Sequence, residues 1–136
     1  MDTFIKVRDQ EGFPVKGDDG RRIELILRLP GDKITVRELI RARVQQEIAE
    51  YNQRKGEYYW GLVHPAEAER TLNGYKMPRY RPVNEQEQVK KALQAFQSNG
   101  FILLVDNRQV ESLDQAIEVG PDTTATFLKL VALVGG

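Results

Sequence analysis

Hydrophobic and polar residues alternate in the first part of the chain, and this pattern predicts two strands. Phe4, Ile5 and Val7 indicate a short first strand. After a stretch rich in glycine and aspartate, positions 23, 25, 27 and 29 are all isoleucine or leucine, and most of their neighbours are polar. Because successive side chains of a strand point to opposite faces, this second segment has one apolar face. We expect a hairpin with one buried face.

A spacing of three and four residues between apolar side chains replaces the alternation after Asp32 and predicts a helix. Thr35 and Glu38 have the spacing of a capping box, so the helix should begin at Val36 and end near Asn52. Its predicted apolar stripe consists of Val36, Leu39, Ile40, Val44, Ile48 and Tyr51. We expect this stripe to pack across the sheet.

The regular pattern stops after this helix, and residues 53–98 are interpreted as an insertion. Glycines and prolines recur in it together with an aromatic cluster, Tyr58, Tyr59 and Trp60. A stretch of this length without periodicity is unusual inside a compact domain. Within it we expect one or two helical turns in residues 65–72.

The insertion should end in a helix of its own. Asn84 is a good N-cap, and the helix predicted over residues 85–98 has an apolar stripe of Val89, Leu93 and Phe96. Gly100 should end this helix. The insertion is therefore expected to carry one well-defined secondary-structure element.

Short elements and one long apolar run make up the last part of the chain. A strand over residues 101–105, a turn, a short returning strand and a turn or short helix over residues 113–119 are expected. After a second turn, residues 124–134 form a final strand whose second half is nearly all apolar. Such a run is typical of a strand buried on both faces in the centre of a sheet.

Two glycines, Gly135 and Gly136, follow this apolar strand directly. Without side chains they can pass through a narrow channel and adopt backbone angles that other residues avoid. A partner enzyme could therefore bring the carboxylate of Gly136 to a nucleotide phosphate. If the native reading frame continues past Gly136, a protease would have to expose the diglycine first.

Composition narrows the range of functions. The 136 residues suit one domain, and the 20 basic and 20 acidic residues balance, so the chain has no overall field to attract nucleic acid or an anionic membrane. No cysteine is present, and His64 is the only histidine, which argues against a metal site and against a cysteine nucleophile. We expect a cytoplasmic protein with no signal peptide and no membrane span.

The order of predicted elements, followed by the ending Leu133-Val134-Gly135-Gly136, resembles the β-grasp, ubiquitin-like superfamily. The resemblance is greatest to its sulfur-carrier and prokaryotic ubiquitin-like branch. It implies an α+β fold in which the main helix lies across a mixed sheet and the last strand pairs in parallel with the first. It covers residues 3–52 and 101–136, and it does not cover the insertion between the main helix and the third strand.

The resemblance also implies a function in which the chain is a substrate and not an enzyme. An activating enzyme would adenylate Gly136 with ATP and magnesium, and this chain itself would bind no cofactor. Capture by an amine, through a conjugating enzyme, would join the protein to a target. Capture by sulfide or a persulfide would instead give a thiocarboxylate and make the protein a sulfur carrier.

We favour the protein modifier, because minimal sulfur carriers need little surface beyond the β-grasp and this chain has an aromatic and basic insertion. Its expected partners are an activating enzyme, a conjugating enzyme, a processing or deconjugating protease and target proteins. Candidate partner-interface residues are Leu133, Val134, Tyr58, Tyr59 and Trp60. The insertion could equally pack on its own domain. A third alternative is a β-grasp interaction module in which the diglycine is incidental.

Overall fold

The computed structural model describes residues 2–11, 22–54, 58–59, 62, 69–71, 74–76 and 83–129. These form two helices, α1 (Val36–Arg54) and α2 (Glu85–Gln97). The strands are β1 (Thr3–Glu11), β2 (Arg22–Leu29), β3 (Lys33–Thr35), β4 (Tyr58–Tyr59), β5 (Glu69–Thr71), β6 (Gly74–Lys76), β7 (Phe101–Val105), β8 (Arg108–Val110), β9 (Ala116–Glu118) and β10 (Thr124–Lys129).

The main sheet has five strands in the order β2-β1-β10-β7-β8. β1 and β10 run parallel, and the other three neighbouring pairs are antiparallel. The register places Val7 opposite both Leu25 of β2 and Ala125 of β10. A mixed sheet with two helices makes this an α+β fold, as the sequence predicts.

α1 begins where the capping signal places it. The backbone N–H of Glu38 donates to Oγ1 of Thr35 at 3.2 Å, and the Thr35 hydroxyl donates to the Glu38 carboxylate at 3.3 Å. The predicted stripe is buried from Val36 to Tyr51, and the helix continues two residues past the expected end, to Arg54. A helix of this length spans the sheet and supplies much of the core.

α2 has the predicted cap, since Oδ1 of Asn84 accepts from the N–H of Glu87 at 2.9 Å. Its buried positions differ from the predicted stripe, however. Gln88, Ala92 and Phe96 are buried, whereas Val89 and Leu93 are only half-buried. The face that α2 turns to the core is therefore rotated by about one residue from the apolar stripe, because Ala92 allows a close approach and Phe96 reaches the Phe101 ring at 5.9 Å.

Five short strands, β3, β4, β5, β6 and β9, are absent from the sequence prediction. The segment predicted as a turn or short helix contains β9, which pairs with β3 through Ile34 and Ile117. The helical turns expected in residues 65–72 are wrong over Glu69–Thr71, which forms β5 of a small sheet with β6 and β4. Strands of two or three residues are too short to show a period of two, so neighbours in space determine them.

β10 occupies the centre of the sheet, as predicted, but it is not buried on both faces. Ala125 and Phe127 are buried, whereas Thr124, Thr126 and Leu128 are half-buried. The reason is that both helices pack on the same face: Phe96 of α2 lies against Phe101 of β7, and Phe101 lies against Phe127. The prediction of burial on both faces is therefore wrong for residues 124–129.

Candidate functional site

The strand that leads toward the diglycine is held on both of its edges. Lys129, the last residue of β10, is in register with Glu11 of β1 and with Phe101 of β7. Residues 130–136 follow it in the sequence and include the diglycine. The candidate reactive end is therefore preceded by a strand whose backbone is hydrogen-bonded to two neighbours.

Most residues predicted to react or to bind a partner lie outside the described residues. These are Trp60, Leu133, Val134, Gly135 and Gly136. Tyr58 and Tyr59 form β4, which pairs with β6. The tail and the aromatic cluster therefore stay predictions as functional residues.

Phe127 fixes β10 to the core close to the candidate site. Its ring is fully buried, and its centroid lies 5.7 Å from that of Phe101. On the helix side, Cζ of Arg43 lies 4.4 Å from the centroid of the same ring, within the range of a cation–π interaction. The last part of β10 is therefore held by an aromatic contact and by a cation from α1.

Arg43 is the centre of a buried ionic network. Its guanidinium donates to both carboxylate oxygens of Asp9 on β1, and its Nε donates to Oε1 of Glu47 at 2.5 Å. The exposed fraction is 1% for Arg43 and 7% for both Asp9 and Glu47. Charges this deep in a protein persist only when hydrogen bonds of good geometry offset their loss of hydration.

The charge state of Arg43 follows from two opposing effects. Burial lowers the pKa of the guanidinium, and the adjacent Glu47 and Asp9 carboxylates more than offset this, so the net result is a pKa above the ordinary arginine value. Arg43 is therefore permanently charged and cannot act as a proton donor or acceptor in a reaction. Its role is to hold α1, β1 and β10 together.

Glu47 extends the network into the insertion. Its Oε2 accepts from the backbone N–H of Leu62 at 3.1 Å, and the Leu62 side chain is buried. A residue of the insertion therefore contacts the main helix through a buried carboxylate. Together with Ala92 and Phe96 of α2, Leu62 shows that part of the insertion packs on its own domain. This supports the packing alternative for those residues.

Sequence reasoning missed the network, although a signal for it exists. Asp9 continues the inward alternation of Ile5 and Val7, and Arg43 and Glu47 fall on the core-facing side of the helix. A charged side chain at a position where the period demands an apolar one indicates burial with a partner. There are three such positions, the carboxylates Asp9 and Glu47 and the guanidinium of Arg43. Pairing the opposite charges would have predicted the buried network.

The face of the sheet opposite the helices carries two large exposed apolar side chains. Phe4 is 55% and Ile26 57% exposed; Ile26 is the register partner of Lys6, and Phe4 lies two residues before Lys6 on β1. Half-buried Leu104 and Leu128 lie on the strands β7 and β10 of the same sheet. A partly apolar open sheet face is a surface that a protein partner could cover.

In the part of the chain that the structure describes, no group of three or more histidine, cysteine, aspartate or glutamate residues is placed to hold a metal ion. Among the same residues, neither helix is long and apolar enough to cross a membrane.

Comparison with known proteins identified no relative of this chain. No protein-family model matches the chain, and neither curated proteins nor solved structures give a match. The functional interpretation therefore depends on the chain's own residues and geometry.

Proposed function

We propose that the chain is a β-grasp, ubiquitin-like protein modifier whose Gly136 carboxylate is adenylated by a partner enzyme and then joined to amines of target proteins. One observation carries the proposal: β10, the strand directly before residues 130–136, pairs in parallel with β1 in the centre of the mixed sheet. The proposal requires a free carboxylate on Gly136, produced either by translation or by cleavage after it.

The strand order supports the β-grasp assignment. In the β-grasp fold a helix crosses a mixed sheet in which the last strand lies between the first and the third. Here β10 lies between β1 and β7, and the core side chains of α1 pack against this sheet. The added elements, β4 to β6 and α2, come between α1 and β7 in the sequence, where an insertion leaves the order of the main strands unchanged.

The proposed reaction needs a rigid strand before the reactive end and residues without side chains at that end. β10 is the rigid strand, because its register with β1 runs over six residue pairs and Phe127 anchors it in the core. Gly135 and Gly136 supply the end. In the proposed reaction a Gly136 carboxylate oxygen attacks the α-phosphorus of ATP and pyrophosphate leaves. A lysine amine then replaces AMP at the carbonyl carbon, directly or through an enzyme thioester.

ATP and magnesium belong to the activating enzyme in this proposal, and the chain contributes only the carboxylate and a docking surface. Such a pathway requires the ATP supply of the cytoplasm, where we place the protein. The insertion is the reason to favour a modifier over a sulfur carrier. Leu62 and α2 of the insertion are packed into the core, so the folded domain is larger than the part of the chain that the resemblance covers.

The test uses trypsin to reveal conjugates. Lys129 is the last basic residue, so digestion of a conjugate leaves residues 130–136, Leu-Val-Ala-Leu-Val-Gly-Gly, attached to the target lysine. The protein is expressed with an N-terminal tag in its source organism and purified under denaturing conditions, and the digest is searched by mass spectrometry for lysines that carry this remnant. We expect remnant-bearing lysines on several proteins.

A matched variant that lacks Gly136 is the control, because its terminal carboxylate is that of Gly135, one residue short of the proposed reactive position. It should yield no remnant. A mass increase of the intact protein that equals exchange of one oxygen for sulfur, with no remnant on any lysine, would replace the modifier by the sulfur carrier. Absence of both products from the unaltered protein would refute activation altogether.

The exposed sheet face favours the interaction module as a second candidate. Phe4 and Ile26 are the large exposed apolar residues of the described chain, and a binding module would use such a surface without any reaction at Gly136. Copurification of the same partners with the unaltered protein and with the variant lacking Gly136 would support this candidate. Loss of the partners from Phe4→Ser would locate them on the sheet.

A further inference from the structure

A groove of about 430 Å³ runs between α1 and α2. On α1 its lining residues are four positions apart, at 37, 41 and 45, and therefore share one face of the helix. On α2 they extend from 85 to 97. With a rise of about 1.5 Å per residue, the groove follows about 12 Å of α1 and about 18 Å of α2. That length matches about two to three turns of a further helix.

The floor of the groove is apolar. Leu113 is buried, and Val89 and Leu93 are half-buried, packing against the core with one side only. Val89 and Leu93 are four residues apart, so they lie one above the other along α2. Apolar side chains of a partner that repeat at helical spacing would bury the surface that remains open.

The walls carry an excess of positive charge. Arg41 and Lys90 are exposed, and neither has an ion-pair or hydrogen-bond partner among the described residues. Arg37 pairs with Asp114 at 3.4 Å in an exposed contact, which is the weak class of ion pair. Glu85 is the one carboxylate among the described lining residues. Because acidic and basic residues balance over the whole chain, this excess is local.

We propose that this groove binds an acidic amphipathic helix of a partner protein. Leucine-like side chains of that helix would lie on Val89 and Leu93, and its carboxylates would face Arg41 and Lys90. The apolar floor selects a protein segment over nucleic acid, whose phosphates would meet the cations but leave the floor open. The binding uses neither Gly135 nor Gly136, so it is independent of the proposed activation of the carboxyl group.

A synthetic peptide tests the proposal on the full chain. The probe has about 14 residues, with leucine at positions i, i+3, i+4 and i+7 of a helix and glutamate at the others. Titration into nitrogen-15-labelled protein should shift the backbone amide signals of groove-lining residues to saturation. Two matched peptides, one with lysine in place of glutamate and one with serine in place of leucine, should cause no saturable shifts.

Charge reversal inside and outside the groove then locates the site. The double variant Arg41→Glu/Lys90→Glu should weaken peptide binding by about tenfold or more. The control Lys6→Glu/Arg108→Glu makes the same change of charge at exposed cations away from the groove, and it should leave the affinity within about twofold. A loss of binding that is equal in the two variants would overturn the proposal.

Four further outcomes would also overturn it. These are no saturable shift with the acidic peptide, equal binding of the lysine peptide, equal binding of the serine peptide, and shifts confined to the sheet face that carries Phe4 and Ile26. Two other results would assign a different occupant. If removal of residues 130–136 shifts the groove signals without peptide, the occupant is the chain's own end; if the signals depend on protein concentration, it is a second copy.

Discussion

The guanidinium of Arg43 forms a bidentate pair with the carboxylate of Asp9, and both groups are buried between α1 and β1. Planar, two-point pairing of this kind fixes the relative position of the two elements better than a single hydrogen bond. Asp9 is also the register partner of Phe127, whose ring the same guanidinium contacts. One side chain therefore joins the main helix to both parallel strands.

Replacement of Arg43 by methionine, which is similar in length and uncharged, should lower the free energy of unfolding by about 3–5 kcal/mol, because two carboxylates stay buried without a cation. Urea denaturation at neutral pH measures this. Arg41→Met is the matched control on the exposed face of the same helix and should change stability by less than about 0.5 kcal/mol. Equal effects of the two substitutions would contradict the assigned role of Arg43.

The raised pKa of Arg43 has a defined consequence for pH dependence. A group whose pKa is higher in the folded state contributes fully below its unfolded-state pKa, and its contribution is lost only as pH rises through the folded-state pKa. For Arg43 both values lie above the range in which the measurement is made. The stability difference between the unaltered protein and Arg43→Met should therefore stay constant between about pH 7 and pH 10. A difference that shrinks over this interval would show that Arg43 loses its proton.

Glu47→Ala should release the insertion locally. The Leu62 N–H would lose its acceptor in a buried position, which costs about 1–3 kcal/mol, and Arg43 would lose one of its two carboxylates. Hydrogen exchange of the Leu62 amide should accelerate by about tenfold or more, the factor that corresponds to about 1.4 kcal/mol. Gln45→Ala, at an exposed position of the same helix, should leave this amide unchanged.

The Asn84 cap offers a local test of α2. Asn84→Ala removes the acceptor of the Glu87 N–H and should cost about 0.5–2 kcal/mol of stability. Gln86→Ala changes an exposed side chain in the same turn without removing the cap, so it serves as the control. If thermal unfolding gives the same midpoint for both variants, Asn84 does not hold the helix end.

The turn between β7 and β8 requires two residues with left-handed backbone conformation. Asp106 and Asn107 have φ values of 49° and 67°, the combination of a type I′ hairpin turn. Asn107→Val should therefore destabilise the protein by about 1–2 kcal/mol, whereas Asn107→Gly should be neutral or slightly stabilising. Urea midpoints measure both. A valine variant as stable as the glycine variant would contradict the backbone conformation.

The elements with a long and regular pattern could be predicted from the sequence. The Thr35 and Asn84 caps place the starts of both helices, since a side-chain acceptor three residues before an N–H is a local feature. β10 lies in the centre of the sheet as predicted, although the burial on both faces from which this was inferred is wrong for residues 124–129. The short strands β3 and β9 could not be found, because only the pairing of Ile34 with Ile117 across the fold makes them strands.

The candidate site was predicted less completely. Gly135 and Gly136 stay predictions that depend on chain order alone, and the structure describes only the strand that precedes them, up to Lys129. The buried charges around Arg43 form contacts between β1, α1 and Leu62. The pattern within one segment does not show which segments pack together, so these contacts could not be predicted from it. The α1–α2 groove likewise depends on a rotation of α2 by about one residue, which leaves Val89 and Leu93 half open.

The carboxylate of Glu47, which accepts from the Leu62 N–H, limits how the chain can be shortened. Excision of residues 53–98 would strip this acceptor of its donor and would uncover Phe101, on which Phe96 packs. Through Leu62 and Phe96 this segment contributes to the interior of the domain. A shortened chain that joins residue 52 to residue 99 should therefore fold only if positions 47 and 101 are replaced as well.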